Sequence, residues 1–167
     1  MSETKTLVLN HKQIKQKIIR MAYEVYERNA SEKEIIFAGI TGMGQQLAGY
    51  LAESLREISP LNVRVLEIHL NKLDVNRGDV ELSEKDDLTQ KCIVVVDDVL
   101  NTGKTLLYAL KPFLDVEVKK IEVAVLVNRS HKLFPVNPDY TGLELATTLN
   151  EHITVDLSTE NFSVHLY

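Results

Sequence analysis

The sequence predicts an α/β fold built on a mostly parallel sheet, and three observations carry that prediction. Short apolar runs rich in β-branched residues, from Glu34 to Ile40, Cys92 to Val96 and Ile121 to Val127, have the composition of strands buried on both faces. Between them lie segments whose apolar residues recur at helical spacing, among them Leu47, Ala48, Leu51, Ala52 and Leu55. The two kinds of segment alternate, which is the order of βαβ units. With 167 residues and 44% hydrophobic content, the chain can bury one substantial core and is short for two. A single domain spanning residues 1–167 is therefore expected.

Asn10 can cap a first helix, whose apolar positions Ile14, Ile18, Met21, Ala22, Val25 and Tyr26 share a face and whose end falls near Asn29. A strand from Glu34 to Ile40, a turn Thr41-Gly42-Met43-Gly44 and the Leu47–Leu55 helix form one strand–turn–helix unit. Val63 to Leu70 alternates as a further strand. The stretch from Asn71 to Gln90 is too charged for a core and is expected to be an exposed, mobile loop or hairpin. A second strand–turn–helix unit runs from Cys92 to about Leu114, followed by the Ile121–Val127 strand. Beyond Asn128 the character changes to Pro135, Pro138 and short β-like runs, Ile153 to Leu157 and Phe162 to Leu166, which read as an appended small β region. There is no internal repeat and no low-complexity segment.

Composition excludes several classes of function. No apolar run approaches the roughly 20 residues that span a bilayer, and the first residues lack a signal-peptide apolar segment, so no membrane partner and a cytoplasmic location are expected. The single cysteine, Cys92, cannot form an internal disulfide and lies in an apolar strand, as a buried structural thiol would. A formal net charge of −5 supplies no global basic field for nucleic acid, although a local patch is compatible with it.

The run CIVVVDDVLNTGKTL, ending at Leu106, carries the chemistry. Its strand delivers Asp97 and Asp98 to the carboxyl end of a parallel sheet, the place where open α/β sheets bind ligands. Leu100-Asn101-Thr102-Gly103-Lys104-Thr105 then opens a helix, and free N–H groups there, with two hydroxyls and a glycine allowing close approach, suit a phosphate. Carboxylates accept hydrogen bonds from hydroxyls, so the pairing suits a ligand with vicinal hydroxyls and a phosphate. Ribose 5-phosphate has both. A Walker A loop is the rival reader, but it needs a glycine where Asp98 stands.

An apolar strand, two acids, two or three variable residues and Thr-Gly-x-Thr together resemble the signature of the type I phosphoribosyltransferases. The resemblance implies that Asp97 and Asp98 are the catalytic pair holding the ribose hydroxyls of phosphoribosyl diphosphate, with Leu100 to Thr105 gripping the 5′-phosphate. It also implies a magnesium ion (Mg²⁺) accompanying the diphosphate, reached by Asp97 and Asp98 only indirectly, through substrate and water. Across nearly the whole chain, YEVYERN, AGITGMGQQLA, VVVDDVLNTGKT, AVLVNRSHKLFPVNPDYTG and ITVDLS fall in the order of the bacterial pyrimidine-operon regulators with uracil phosphoribosyltransferase activity. The implied architecture is the type I phosphoribosyltransferase fold, a twisted mostly parallel sheet flanked by helices. A small β hood, mainly residues 129–150 and the C-terminal strands, would cover the base, and a homodimer or higher homo-oligomer is expected.

The departures from that subgroup bear on its chemistry. Thr41-Gly42-Met43-Gly44 contains no arginine where the regulators carry arginines beside the diphosphate, so contact there falls to these residues and their amides, with Lys72 and Arg77 closing over from the loop. Asn101 replaces the Asp of the 6-oxopurine transferases, which disfavours a purine base. Leu143 replaces a Lys after the hood glycine, which weakens a uracil contact. Arg129, Tyr140, Thr141 and Leu143 remain the base-binding candidates, with Tyr140 either stacking on a base or packing in the core. Arg129, His131 and Lys132 either contact substrate or RNA or form a polar hood edge. Two functions follow: a phosphoribosyltransferase acting on a nucleobase, a pyrimidine such as uracil, or a nucleotide-sensing, RNA-binding attenuation regulator of a pyrimidine operon with little or no catalysis.

Overall fold

The computed structural model describes residues 4–71, 73 and 78–167. Its main sheet has six strands: β2 (Glu34–Ile40), β3 (Asn62–His69), β4 (Glu81–Leu82), β5 (Cys92–Leu100), β6 (Lys120–Asn128) and β7 (Tyr140–Glu144). They lie in the order β4-β3-β2-β5-β6-β7, all parallel except β4. A second, antiparallel sheet joins both ends of the chain in the order β1-β9-β8, from β1 (Thr6–Leu9), β8 (Ile153–Asp156) and β9 (Ser163–Leu166).

Alternation along the central strands assigns side chains to two cores. Ile35, Phe37, Cys92, Val94 and Val96 face α1 (His11–Asn29) and α2 (Met43–Ile58). Ile36, Ala38, Ile40, Ile93 and Val95 face α3 (Lys104–Ala109) and α4 (Lys111–Leu114). Both faces are covered, which is why these strands read as continuous apolar runs. Cys92 is buried, as expected, and burial pushes its thiol above its ordinary pKa. The start of α1 is held by a capping box, in which the Asn10 side chain accepts from the Gln13 N–H and the Gln13 side chain accepts from the Asn10 N–H, each at 2.9 Å.

Four expectations need revision. The helix after the turn breaks at Leu110 into α3 and α4, because Pro112 has no N–H to continue the ladder. The segment before β5 is not wholly outside the core: Leu82 and Leu88 are buried, and β4 pairs with the end of β3. Tyr140–Glu144, expected in the hood, is instead the parallel edge strand beside β6. The small sheet also recruits β1, a four-residue strand whose pairing partner lies at the far end of the chain.

Candidate functional site

Chain connections place a crevice between β2 and β5. From β2 the chain crosses through α2 to β3 on one side, whereas from β5 it passes to β6 and β7 on the other. Such a reversal leaves the carboxyl ends of the two central strands unroofed by crossovers. Pairing of β2 with β5 stops at Gly39 and Val96, while β5 continues against β6 as far as Leu100 and Asn128. Asp97 and Asp98 therefore lie on β5 beyond the end of its neighbour β2, still held on the other side by β6. Asp97 is buried, and its Oδ1 accepts the Asp98 N–H at 2.9 Å. Asp98 is half-buried.

A cavity of about 300 Å³ opens at this point. Asp97 and Asp98 line it together with Leu100, Asn101, Thr102, Gly103 and Thr105. Its turn is built locally. The Thr102 hydroxyl accepts the Lys104 N–H at 3.3 Å, and Gly103 takes φ 91°, a left-handed conformation that side chains disfavour. The Thr102 carbonyl accepts from Leu133 and Phe134 at 2.8 and 3.0 Å, which anchors the turn to the segment after β6. Lys104 opens α3 but is not among the residues lining the cavity. The donors that the turn presents to the cavity are thus N–H groups and hydroxyls, which suit an anion.

The second glycine turn reaches the acid pair directly. A Cβ at Gly44 would stand 2.8 Å from the Val96 carbonyl oxygen and 3.1 Å from Asp97 Oδ1, so only glycine lets α2 begin so close. Gly42, at φ 96°, precedes α2 with no side-chain cap, which leaves the first amides of that helix for an anion. Thr41 needs correction as a diphosphate donor: its N–H and hydroxyl both donate to the Ile68 carbonyl, at 3.0 and 2.9 Å. Met43 accepts the Leu157 N–H at its sulfur, 3.3 Å away, and so ties the turn to the small sheet. Lys72 and Arg77 lie outside the described residues.

The candidate base contacts do not gather at the cavity. Tyr140 is fully buried in the core, its hydroxyl donating to Glu122 at 2.9 Å and its ring beneath Arg28, which rules out stacking on a ligand in this arrangement. Burial, and then the Glu122 carboxylate, push its hydroxyl pKa well up. The Thr141 carbonyl is held by Arg20, and Leu143 lines a separate concavity beside α1, because the β6–β7 register turns it away from the acids. Arg129 is buried and binds protein rather than an open pocket: it donates to Asn101, Thr147, Thr148 and Glu151. His131 pairs with the Thr147 carbonyl at 2.7 Å, and Lys132 is exposed.

Three lining residues had escaped sequence reasoning, Val99, Leu106 and Ile153. Val99 sits between the acids and the turn, within a strand expected to end earlier. Ile153 comes from β8, and only tertiary pairing brings it over the cavity. Together they supply apolar surface beside the acids.

For magnesium, the donor set decides the fit. Two carboxylates on one side of an open cavity suit a hard cation completed by diphosphate and water oxygens, with Asp97 and Asp98 as its protein neighbours. Among the described residues, no group of three or more His, Cys, Asp or Glu could form a protein cage.

Asp97 and Asp98 on β5, the glycine turn that follows and the crevice at the sheet reversal together form one candidate ligand site. The phosphoribosyl transferase domain model matches residues 6–160, and the chain belongs to this family. Among its curated relatives are proteins named bifunctional protein PyrR. That of Bacillus pumilus is 36% identical over 93% of this chain and 92% of its own, and that of Latilactobacillus sakei 35% identical over 89% and 88%. The fold also matches solved structures. Hypoxanthine phosphoribosyltransferase of Trypanosoma cruzi has a TM-score of 0.76 at 14% identity over 89% of this chain and 84% of its own. A hypoxanthine-guanine phosphoribosyltransferase of Bacillus anthracis has a TM-score of 0.69 at 20% identity over 87% and 85%. At these identities the likeness shows the fold alone, that of the type I phosphoribosyltransferases.

Proposed function

We propose that the protein transfers ribose 5-phosphate from phosphoribosyl diphosphate to a nucleobase, a pyrimidine such as uracil, releasing diphosphate. The observation that carries this reading is the convergence of Asp97, Asp98 and the Asn101–Thr105 turn on one cavity. The acids would hold the ribose hydroxyls and the turn the 5′-phosphate, so that the anomeric carbon faces the apolar surface of Val99 and Ile153. A base nitrogen then bonds to that carbon as the carbon's bond to diphosphate breaks; the electron pair leaves with diphosphate, and the proton of the base nitrogen passes to solvent. Positioning and charge stabilisation supply the rate, without a covalent protein intermediate. Magnesium bound through the diphosphate would offset charge on the leaving group. Amides at the start of α2, from Gly42 to Gly44, would receive the diphosphate.

The names of the sequence relatives and the Asn at 101 support the pyrimidine choice. A cytoplasmic homodimer is the expected form; among the described residues no helix is long and apolar enough to cross a membrane. Turnover of phosphoribosyl diphosphate with a panel of bases tests the proposal, and diphosphate release with uracil is the expected result.

A second reading is favoured by the diphosphate turn, where no arginine stands and the Thr41 donors are engaged on Ile68. In it the protein senses a nucleoside monophosphate and regulates by binding RNA, with little catalysis. Nucleotide binding without diphosphate release, together with a nucleotide-dependent RNA gel shift, would distinguish it.

A further inference from the structure

We infer that Tyr50 and Met43 are positioning residues: from α2 they hold the Leu157 peptide, and through it they set Ile153, the apolar wall that β8 brings over the cavity. The inference rests on the sugar-phosphate site proposed above.

Leu157 directly follows β8 and lies beyond Asp156 and Ser163, the last pair between β8 and β9. It is fully buried, so its N–H and carbonyl must find partners outside that ladder. Both partners come from α2. The Met43 sulfur accepts the N–H, and the Tyr50 hydroxyl donates to the carbonyl, each at 3.3 Å. Seven positions (50 − 43), about two helical turns, separate the two side chains, which puts them on one face of α2.

The strand is tied down elsewhere as well. The Tyr50 ring packs against Phe162, just ahead of β9, with centroids 4.9 Å apart, and the Phe162 N–H donates to His11 Nδ1 at 3.0 Å. At the other end of β8, Arg129 donates to the carbonyls of Thr148 and Glu151 at 3.3 and 2.6 Å, a short way before Ile153. β8 is thus held on both sides of its four residues, by Arg129 on the way in and by α2 on the way out. Asp97, Asp98 and the phosphate turn are carried by a different element, β5 and the residues after it. Loosening the Leu157 anchor therefore shifts the wall beside the base and spares the contacts to ribose and phosphate.

Tyr50→Phe removes the donor and keeps the ring on Phe162, whereas Met43→Leu removes the acceptor and keeps an apolar side chain of similar size. Calorimetry with ribose 5-phosphate and with uridine and inosine 5′-monophosphates reads the wall as the advantage of nucleotide over ribose 5-phosphate. In Tyr50→Phe that advantage is expected to fall about three- to tenfold, the worth of one hydrogen bond, while ribose 5-phosphate affinity holds within about twofold. Met43→Leu should lower the advantage at least as far, because a buried N–H is left without an acceptor, and should speed hydrogen exchange at the Leu157 amide about fivefold or more. Unaltered exchange there overturns the role of Met43. An unchanged ratio in Tyr50→Phe, equal loss for all three ligands, or a wild type that binds neither nucleotide better than ribose 5-phosphate overturns the inference and leaves the sugar-phosphate site standing. If wild type binds no ribose 5-phosphate, the site itself is rejected and the inference with it.

Discussion

Gly44 packs against Asp97 so closely that one added methyl group would stand 3.1 Å from both the Cα and Oδ1 of the acid. The start of α2 and the acid pair are thereby a single rigid unit, although 53 positions (97 − 44) separate them in sequence. Gly44→Ala is expected to push α2 away, lowering stability by about 1–3 kcal/mol and weakening phosphoribosyl diphosphate more than ribose 5-phosphate. Chemical denaturation and calorimetry measure the two effects. Equal weakening of both ligands would separate the α2 amides from the diphosphate.

Replacing both acids, Asp97→Asn with Asp98→Asn, removes the charged acceptors proposed for the ribose hydroxyls. Two charge-assisted hydrogen bonds at about 1.5 kcal/mol each correspond to a loss of roughly 100-fold in affinity. Calorimetry with phosphoribosyl diphosphate should show that loss, and unchanged affinity would sink the assignment.

Tyr140→Phe tests the core placement of a residue that sequence had offered as a base-stacking candidate. The variant loses the hydrogen bond to the buried Glu122 carboxylate, at an expected cost of about 1–3 kcal/mol in thermal or denaturant unfolding. Turnover per folded molecule should not change. The folded state also holds the tyrosine proton more tightly than the ordinary value of 10.0, so the unfolded chain ionises first. Stability in wild type should fall as pH rises above that value, and the Phe variant should lack this component.

At acid pH the sign reverses. The Ser158 hydroxyl at 2.7 Å, and its N–H at 2.9 Å, hold the Asp156 carboxyl below its ordinary value. That contribution is present above the ordinary carboxylate value and is lost as pH falls through the lowered one. Ser158→Ala should unfold earlier in urea than wild type at pH 7. The gap between the two curves should close as the pH is lowered past the carboxylate range, and a gap independent of pH would exclude Asp156 as its source.

Legibility in the sequence tracked the locality of the interactions. The Asn10 cap, the Glu34–Ile40 strand and the acids-plus-turn run each depend on neighbours a few residues away, and each stands where the pattern put it. Leu82 and Leu88 hid inside a charged stretch, because two isolated leucines carry no periodicity. Tyr140 and Leu143 lay in a segment correctly recognised as related, yet their direction is set by the register against Ala124 and Val127. Thr41 looked like a free donor because nothing local shows that the Ile68 carbonyl takes both its hydrogens. Ile153 is the extreme case, since its place over the cavity depends on β8 pairing within a sheet assembled from both ends of the chain.

That shared sheet has a consequence for the order in which the protein is made. Asp97, Asp98 and the turn leave the ribosome some 50 residues ahead of Ile153, and β8 can seat only once β9 has emerged to lie between it and β1. A growing chain would hold the acids and the turn before it held Ile153. Competence toward the base would arrive only after β8 and β9 have both been made and β9 has paired with β1.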